Sequence, residues 1–178
     1  MRANPVSSIR LYDCRVPVGN LIGKEGMGLQ IGLQALDTGR MGIAAQALGI
    51  AQAAFDEAVR YAKERRQFGV PIAKHQAIQM MIADMATQID AARLMVYRAA
   101  MTDNQGRPLS QVAAMAKLFA SETACKVTDL AVQIHGGYGY SKSYPVERYY
   151  RDARVTRIYE GTSEIQRVVI ARNVLGSK

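Results

Sequence analysis

Residues Ile43–Ala62 read IAAQALGIAQAAFDEAVRYA. Ile43, Ala47, Ile50, Ala54, Ala58 and Ala62 recur there at three- and four-residue steps, with Asp56, Glu57 and Arg60 off that stripe, the pattern of a helix with one buried face. The stripe is mostly alanine, so a partner helix can approach closely. Working outward, this helix starts near Gly28 and runs to Arg66, where Phe68-Gly69-Val70-Pro71 stops it. A second helix, about Lys74 to Thr102, is carried by Ile78, Met81, Ile82, Met85, Ile89, Ala92, Val96 and Ala99. After the turn Asn104-Gln105-Gly106-Arg107-Pro108, a third begins near Ser110, a good cap, and runs to Ile134 on Val112, Ala116, Phe119, Thr123, Val127 and Leu130. A short helix over Val146–Arg154 and a last one over Ser163–Leu175 complete the set. Short connections between long helices predict an all-α antiparallel four-helix bundle.

The first residues read differently. From Ser7 to Gly23, Ile9, Leu11 and Tyr12 stand beside Arg10 and Arg15, punctuated by Pro17 and Gly19, which is strand-and-turn chemistry. A lone strand has no stability of its own. Residues 1–26 are therefore expected to be the remnant of a β-domain, and residues 27–178 the helical bundle.

Composition excludes several classes. The 178 residues suffice to bury roughly 70% of the surface their unfolded form exposes. Hydrophobic residues make up 49%, with nine Met and no Trp, which suits packed helices. The net charge of +8 is dispersed among acids, with no basic block for nucleic acid or a membrane surface. Cys14 and Cys125 are far apart and form no C-x-x-C, so two reduced thiols are expected. No run approaches the ~20 apolar residues of a membrane span, and no signal-peptide pattern is present, which predicts a soluble protein. His75 and His135 lack partners at metal-ligand spacing, so no metal is expected. Arg148, Arg151, Arg154 and Arg157 recur every three residues, but such a stripe drifts ~60° per step, and Glu147 and Asp152 lie among them. Local ion pairs are the expected explanation.

Chemistry concentrates between Gln133 and Gln166. A helix ending at Ile134 runs into Gly136 and Gly137, suited to a left-handed cap. Ser163 and Gln166 have capping-box spacing, which leaves Glu160, Gly161 and Thr162 just outside a helix N-terminus. Amides and dipole there favour negative charge. Glu160 can be a solvated acid complementing that dipole, or a general base set beside the apolar wall of Ile158 and Tyr159.

The motifs IYEGTSEIQ and, before it, YPVERYYRDAR closely resemble the C-terminal region of the flavin-dependent acyl-CoA dehydrogenases, nearest the short-chain and short/branched-chain types. R-x-x-F-G, H-Q and Q-I-H-G-G occur in the matching order, and the resemblance spans nearly the whole chain. It implies FAD-dependent α,β-dehydrogenation of an acyl-CoA, a step of fatty-acid β-oxidation, with electrons passing to an electron-transfer flavoprotein. It implies that Glu160 is the catalytic base. Relatives of the isovaleryl and long-chain types carry the base just before the arginine matching Arg40, where this chain has Gly39. Arg65, Phe68, Gln76, the segment Gln133, Ile134, His135, Gly136 and Gly137, and then Thr162, Ser163 and Glu164 match flavin-binding positions, several of them serving a flavin held mainly by a neighbouring subunit. Asp37, Arg40 and Gly161 match positions that touch the acyl-CoA. A homo-oligomer, dimer or tetramer, is implied, in a bacterial cytoplasm or the mitochondrial matrix. Family members have further domains upstream, so the chain alone is expected to be weak or inert. The alternative from another class is a non-catalytic helical oligomerisation module.

Overall fold

The structure is a computed structural model that describes residues 5–106 and 108–176. Helix α1 spans Gly28–Glu64, followed by a two-stranded hairpin of β1 (Arg66–Gln67) and β2 (Val70–Pro71). Helices α2 (Gln76–Asn104) and α3 (Ser110–His135) come next, then α4 (Val146–Ala153) and α5 (Ser163–Leu175). Arg107 of the expected turn lies outside the described residues, as do the outer ends of both expected domains.

The long helices run up, down, up and down. The start of α1 lies beside the start of α3, where Asp37, Arg40 and Ser110 line one cavity, and Tyr61 near the end of α1 stacks on His135 at the end of α3. Helix α3 is the central element and packs on α1, α2, α4 and α5. The seam between α1 and α3 is nearly all alanine: Ala44, Ala47, Ala51, Ala54 and Ala58 face Ala116, Ala120, Ala124 and Ala131, all fully buried. Small side chains let two axes come to the near end of the usual 8–10 Å spacing. The buried face differs slightly from the predicted stripe. Ile43 and Ile50 sit on its shoulder, half-buried, while Ala44, Leu48 and Ala51 are inside, because close approach selects the smaller residues for the centre of the seam.

Four local expectations are corrected. Ser110 is the first helical residue of α3, and the cap position belongs to Leu109, with no side-chain bond. The α5 cap is Thr162, whose hydroxyl accepts from the Ile165 amide at 3.4 Å; Ser163 lies inside the helix, buried. Gly136 has φ 58 but ψ −136, so α3 ends in a glycine-only turn that leads into a 3-10 turn over Gly136–Tyr140 instead of a left-handed cap. Among the described residues, 7–23 form no strand: they are exposed and irregular apart from a short turn at Val18–Asn20, since no described strand lies beside them to take their hydrogen bonds.

Candidate active site

The turn between α4 and α5 carries Glu160 with φ 55 and Gly161 with φ 89. Two consecutive residues in the left-handed region are uncommon when one is a glutamate, and such strain persists only where surroundings enforce it. The enforcing contacts are visible. Gln166, fully buried on the first turn of α5, donates from Nε2 to the carbonyls of Glu160 at 3.1 Å and Gly161 at 2.9 Å. With Thr162 as the cap, Gln166 stands one residue past the capping-box position, and its amide donates to the turn's carbonyls instead of accepting from the cap amide. Lys117 of α3, also fully buried, donates from Nζ to the Gly161 carbonyl at 2.7 Å. The Tyr159 hydroxyl donates to Gln46 of α1 at 2.7 Å.

The Glu160 carboxylate rests against α1. A Cβ built on Gly39 would stand 2.5 Å from Oε2 and 3.3 Å from Oε1 of Glu160. Only a glycine leaves room for the acid there. Oε2 is buried without a hydrogen-bond partner among the described residues. On the next residue of α1, Arg40 is buried and paired with Asp37 at 2.6 Å, its Nε unpartnered among the described residues. Asp37 and Arg40, with Leu33, Val169 and Arg172, line a cavity of about 470 Å³ between the starts of α1 and α3 and the body of α5. Burial pushes the Lys117 ammonium down to about 8, with the Arg40 charge adding to the effect and Glu122, Glu160 and Glu164 opposing it. At the mouth of α5, hydrogen bonds from its own amide and from the Thr162 hydroxyl hold the exposed Glu164 carboxyl below the usual carboxylate range.

The other expected site residues lie elsewhere. Arg65 ends α1, roughly 38 Å along the helix axis from Arg40. Arg65, Ile134, His135, Gly136 and Gly137 line a cavity of about 600 Å³ together with Tyr61 and Tyr138. Neither Gly136 nor Gly137 would meet an atom within 4 Å at its Cβ, so this backbone is open to close approach. His135 is buried between Tyr61 and Tyr144; its Nδ1 lies 2.8 Å from the Ala131 carbonyl, so the ring donates there and Nε2 is left an unpartnered acceptor. Burial holds its pKa below the ordinary histidine value, partly offset by that bond. Phe68, 93% exposed, sits at the tip of the β1–β2 hairpin with φ 52 beside Gly69 with φ 82. The strained tip is braced by Arg66, which donates to the Gly69 carbonyl at 2.9 Å, and by the edge of His75. Gln76 opens α2, exposed, and Gln133 points outward from the last turn of α3.

Thus the expected residues fall into two clusters at opposite ends of α1. Glu160, Gly161, Thr162, Ser163, Glu164, Asp37 and Arg40 gather at one end; Arg65, Phe68, Gln76 and 133–137 gather at the other. Lys117 went unnoticed in the sequence, although it stands four after Ala113, three before Ala120 and seven before Ala124, on the buried phase of α3. The arginine series is only partly local: Arg151 pairs with Glu147 at 2.8 Å, whereas Arg157 crosses to Glu122 of α3 at 2.9 Å. Among the described residues no three His, Cys, Asp or Glu side chains come together as a metal site, and no helix is long and apolar enough to cross a membrane.

Comparison with known proteins identifies the family. The family model for the acyl-CoA dehydrogenase C-terminal domain matches residues 26–175. Acryloyl-CoA reductase (NADH) of Anaerotignum propionicum is 60% identical over 163 residues, 92% of this chain and 41% of that protein. The mitochondrial short-chain specific acyl-CoA dehydrogenase of Rattus norvegicus is 54% identical over 177 residues, 99% of this chain and 43% of that one. The solved butyryl-CoA dehydrogenase of Megasphaera elsdenii superposes with a TM-score of 0.89 at 53% identity, covering 90% of this chain and 42% of that one. The chain spans less than half the length of the curated relatives it matches. With a family model matching nearly its full length, the chain belongs to the acyl-CoA dehydrogenase family and carries that family's C-terminal helical domain.

Proposed function

We propose that this chain is the base-bearing part of an FAD-dependent acyl-CoA dehydrogenase acting on short acyl chains, with Glu160 as the catalytic base. The observation that carries the reading is the Glu160 carboxylate held on a left-handed turn against the bare backbone of Gly39, one oxygen buried and unpartnered. Buried polar atoms are paired almost everywhere else in proteins, and one left free and held in place is suited to receive a proton. In the reaction the α C–H bond breaks heterolytically and its proton goes to the Glu160 carboxylate. The hydrogen leaving the β-carbon departs with its electron pair, and a Cα=Cβ double bond forms. A bound flavin supplies the acceptor for that hydride. Asp37, Arg40 and Gly161 are assigned to the acyl-CoA, beside the cavity that Asp37 and Arg40 line.

The residues fit a flavin adenine dinucleotide divided between two copies of the chain. Thr162, Ser163 and Glu164 are assigned to the end of the cofactor that reacts. At the far end of α1, Arg65 offers a fork for phosphate, and the open backbone at Gly136 and Gly137 admits a flat ring, with the buried His135 behind it. Phe68, Gln76 and Gln133 are assigned to the same cofactor. Separation of the two clusters along α1 favours a homo-oligomer in which each cofactor meets both. Short chains are favoured by the names of the relatives, acryloyl, butyryl and short-chain among them. Residues 1–26 are read as the end of the family's β-domain. The electron acceptor is taken to be an electron-transfer flavoprotein, and the compartment a bacterial cytoplasm or mitochondrial matrix.

In the flavin-loaded full-length protein carrying this chain, Glu160→Gln is expected to keep the flavin absorbance and reduce turnover of butyryl-CoA by at least a thousandfold. Turnover within a few-fold of wild type removes Glu160 from the mechanism. A purely structural role, as a helical assembly module, draws on the exposed Ile165, Val168, Val174 and Leu175 of α5. A colourless oligomer that binds no flavin even when full-length would favour it.

A further inference from the structure

Lys117 has no acid partner within salt-bridge distance among the described residues, although it is fully buried. Its ammonium has one hydrogen-bonded partner, the neutral carbonyl of Gly161, 44 positions away in the chain. A buried cation so poorly compensated is a net cost to folding, and an apolar side chain of similar volume would be the more stable choice. Its value must lie in what it holds. The carbonyl it holds also accepts from Gln166 Nε2, so both lone pairs of the Gly161 oxygen are taken, one from α3 and one from α5. Gln166 contacts the Glu160 carbonyl as well. The peptide units on both sides of Gly161 are thereby pinned, and their orientation sets the Cα–Cβ direction of Glu160. Nothing in the Glu160 side chain does this, because Oε2 is unpartnered and the other face is bare glycine.

We propose that Lys117 is a positioning residue: with Gln166 it clamps the Gly161 carbonyl, holding the strained turn so that the Glu160 carboxylate stays on Gly39. This rests on the reading of Glu160 as the base. The clamp is tested by Lys117→Met and by Gln166→Leu, each removing one arm. Amide hydrogen exchange of the chain is expected to quicken at least tenfold at residues 165 and 166, whose amides bond Thr162 beside the clamped peptide, in both variants, with α1 and the core of α3 unchanged. In the flavin-loaded full-length protein, kcat for butyryl-CoA should fall 30- to 300-fold with KM within threefold. The melting temperature of Lys117→Met should be unchanged or higher. Exchange at 165 and 166 as slow as wild type in whichever variant folds overturns the clamp. So does a kcat within threefold of wild type where Glu160→Gln abolishes turnover, and in that case the base stands alone. If Glu160→Gln leaves turnover intact, the base falls, and the exchange rates still decide the clamp.

Discussion

At the scale of single residues, the molecule's chemistry depends on what two positions lack. Gly39 lacks a side chain and so leaves the space that the Glu160 carboxylate fills, 2.5 Å from where a Cβ would stand. Glu160 lacks a partner for Oε2 among the described residues. Gly39→Ala separates stability from activity. Within α1 an alanine is favoured over glycine by about 1 kcal/mol, worth about 2–4 °C in a domain of this size. The clash falls on the far end of a flexible side chain, which can swing away at little cost. Calorimetry is therefore expected to show an equal or higher melting temperature, while kcat of the full-length enzyme drops more than tenfold. A melting temperature several degrees lower would mean that the carboxylate cannot move and that the contact is structural.

At the scale of elements, α1 and α3 meet through alanine, and the tightness of that seam fixes where everything attached to it lies. Lys117 reaches the turn before α5 from α3, and Gly39 meets the same turn from α1, so the turn reads the spacing of the two helices. Ala54 sits fully buried in the middle of the seam. Ala54→Leu adds volume with nowhere to go and should cost roughly 1–3 kcal/mol. Thermal denaturation is expected to show the midpoint lowered by about 2–4 °C for each kcal/mol. An unchanged midpoint would show slack between these helices that the burial does not suggest. The hairpin makes a different point. Its pairing of Arg66 with Pro71 and Gln67 with Val70 turns the chain through two positive-φ residues, and so projects Phe68 into solvent as a fixed feature. In sequence the same residues read only as the end of a helix.

At the scale of the whole molecule, one bundle carries two clusters at opposite ends of its longest helix. The end away from Glu160 also sets a pH limit on the fold. His135 is buried with its pKa lowered from 6.5, so the unfolded chain binds a proton more readily than the folded one just below that pH. Stability must fall as pH drops through about 6.5, and equilibrium unfolding at pH 7.5 and 5.5 is expected to show it. His135→Phe, which keeps the ring stack on Tyr61, should lose most of that dependence; an equal fall in the variant would assign it to other groups. The sequence by itself determined the helices, their order and the residues of the YEGT turn, because a repeat of three and four residues records which face is buried and glycine records where the chain bends. It also held the phase that buries Lys117, though a lysine among alanines reads as solvent-facing until its partner is known. Tertiary structure alone decided that Gly39 and Glu160 share one space and that the site residues divide into two clusters. These follow from contacts between segments 40 to 120 positions apart, and local propensity carries no record of which distant residue will fill a gap.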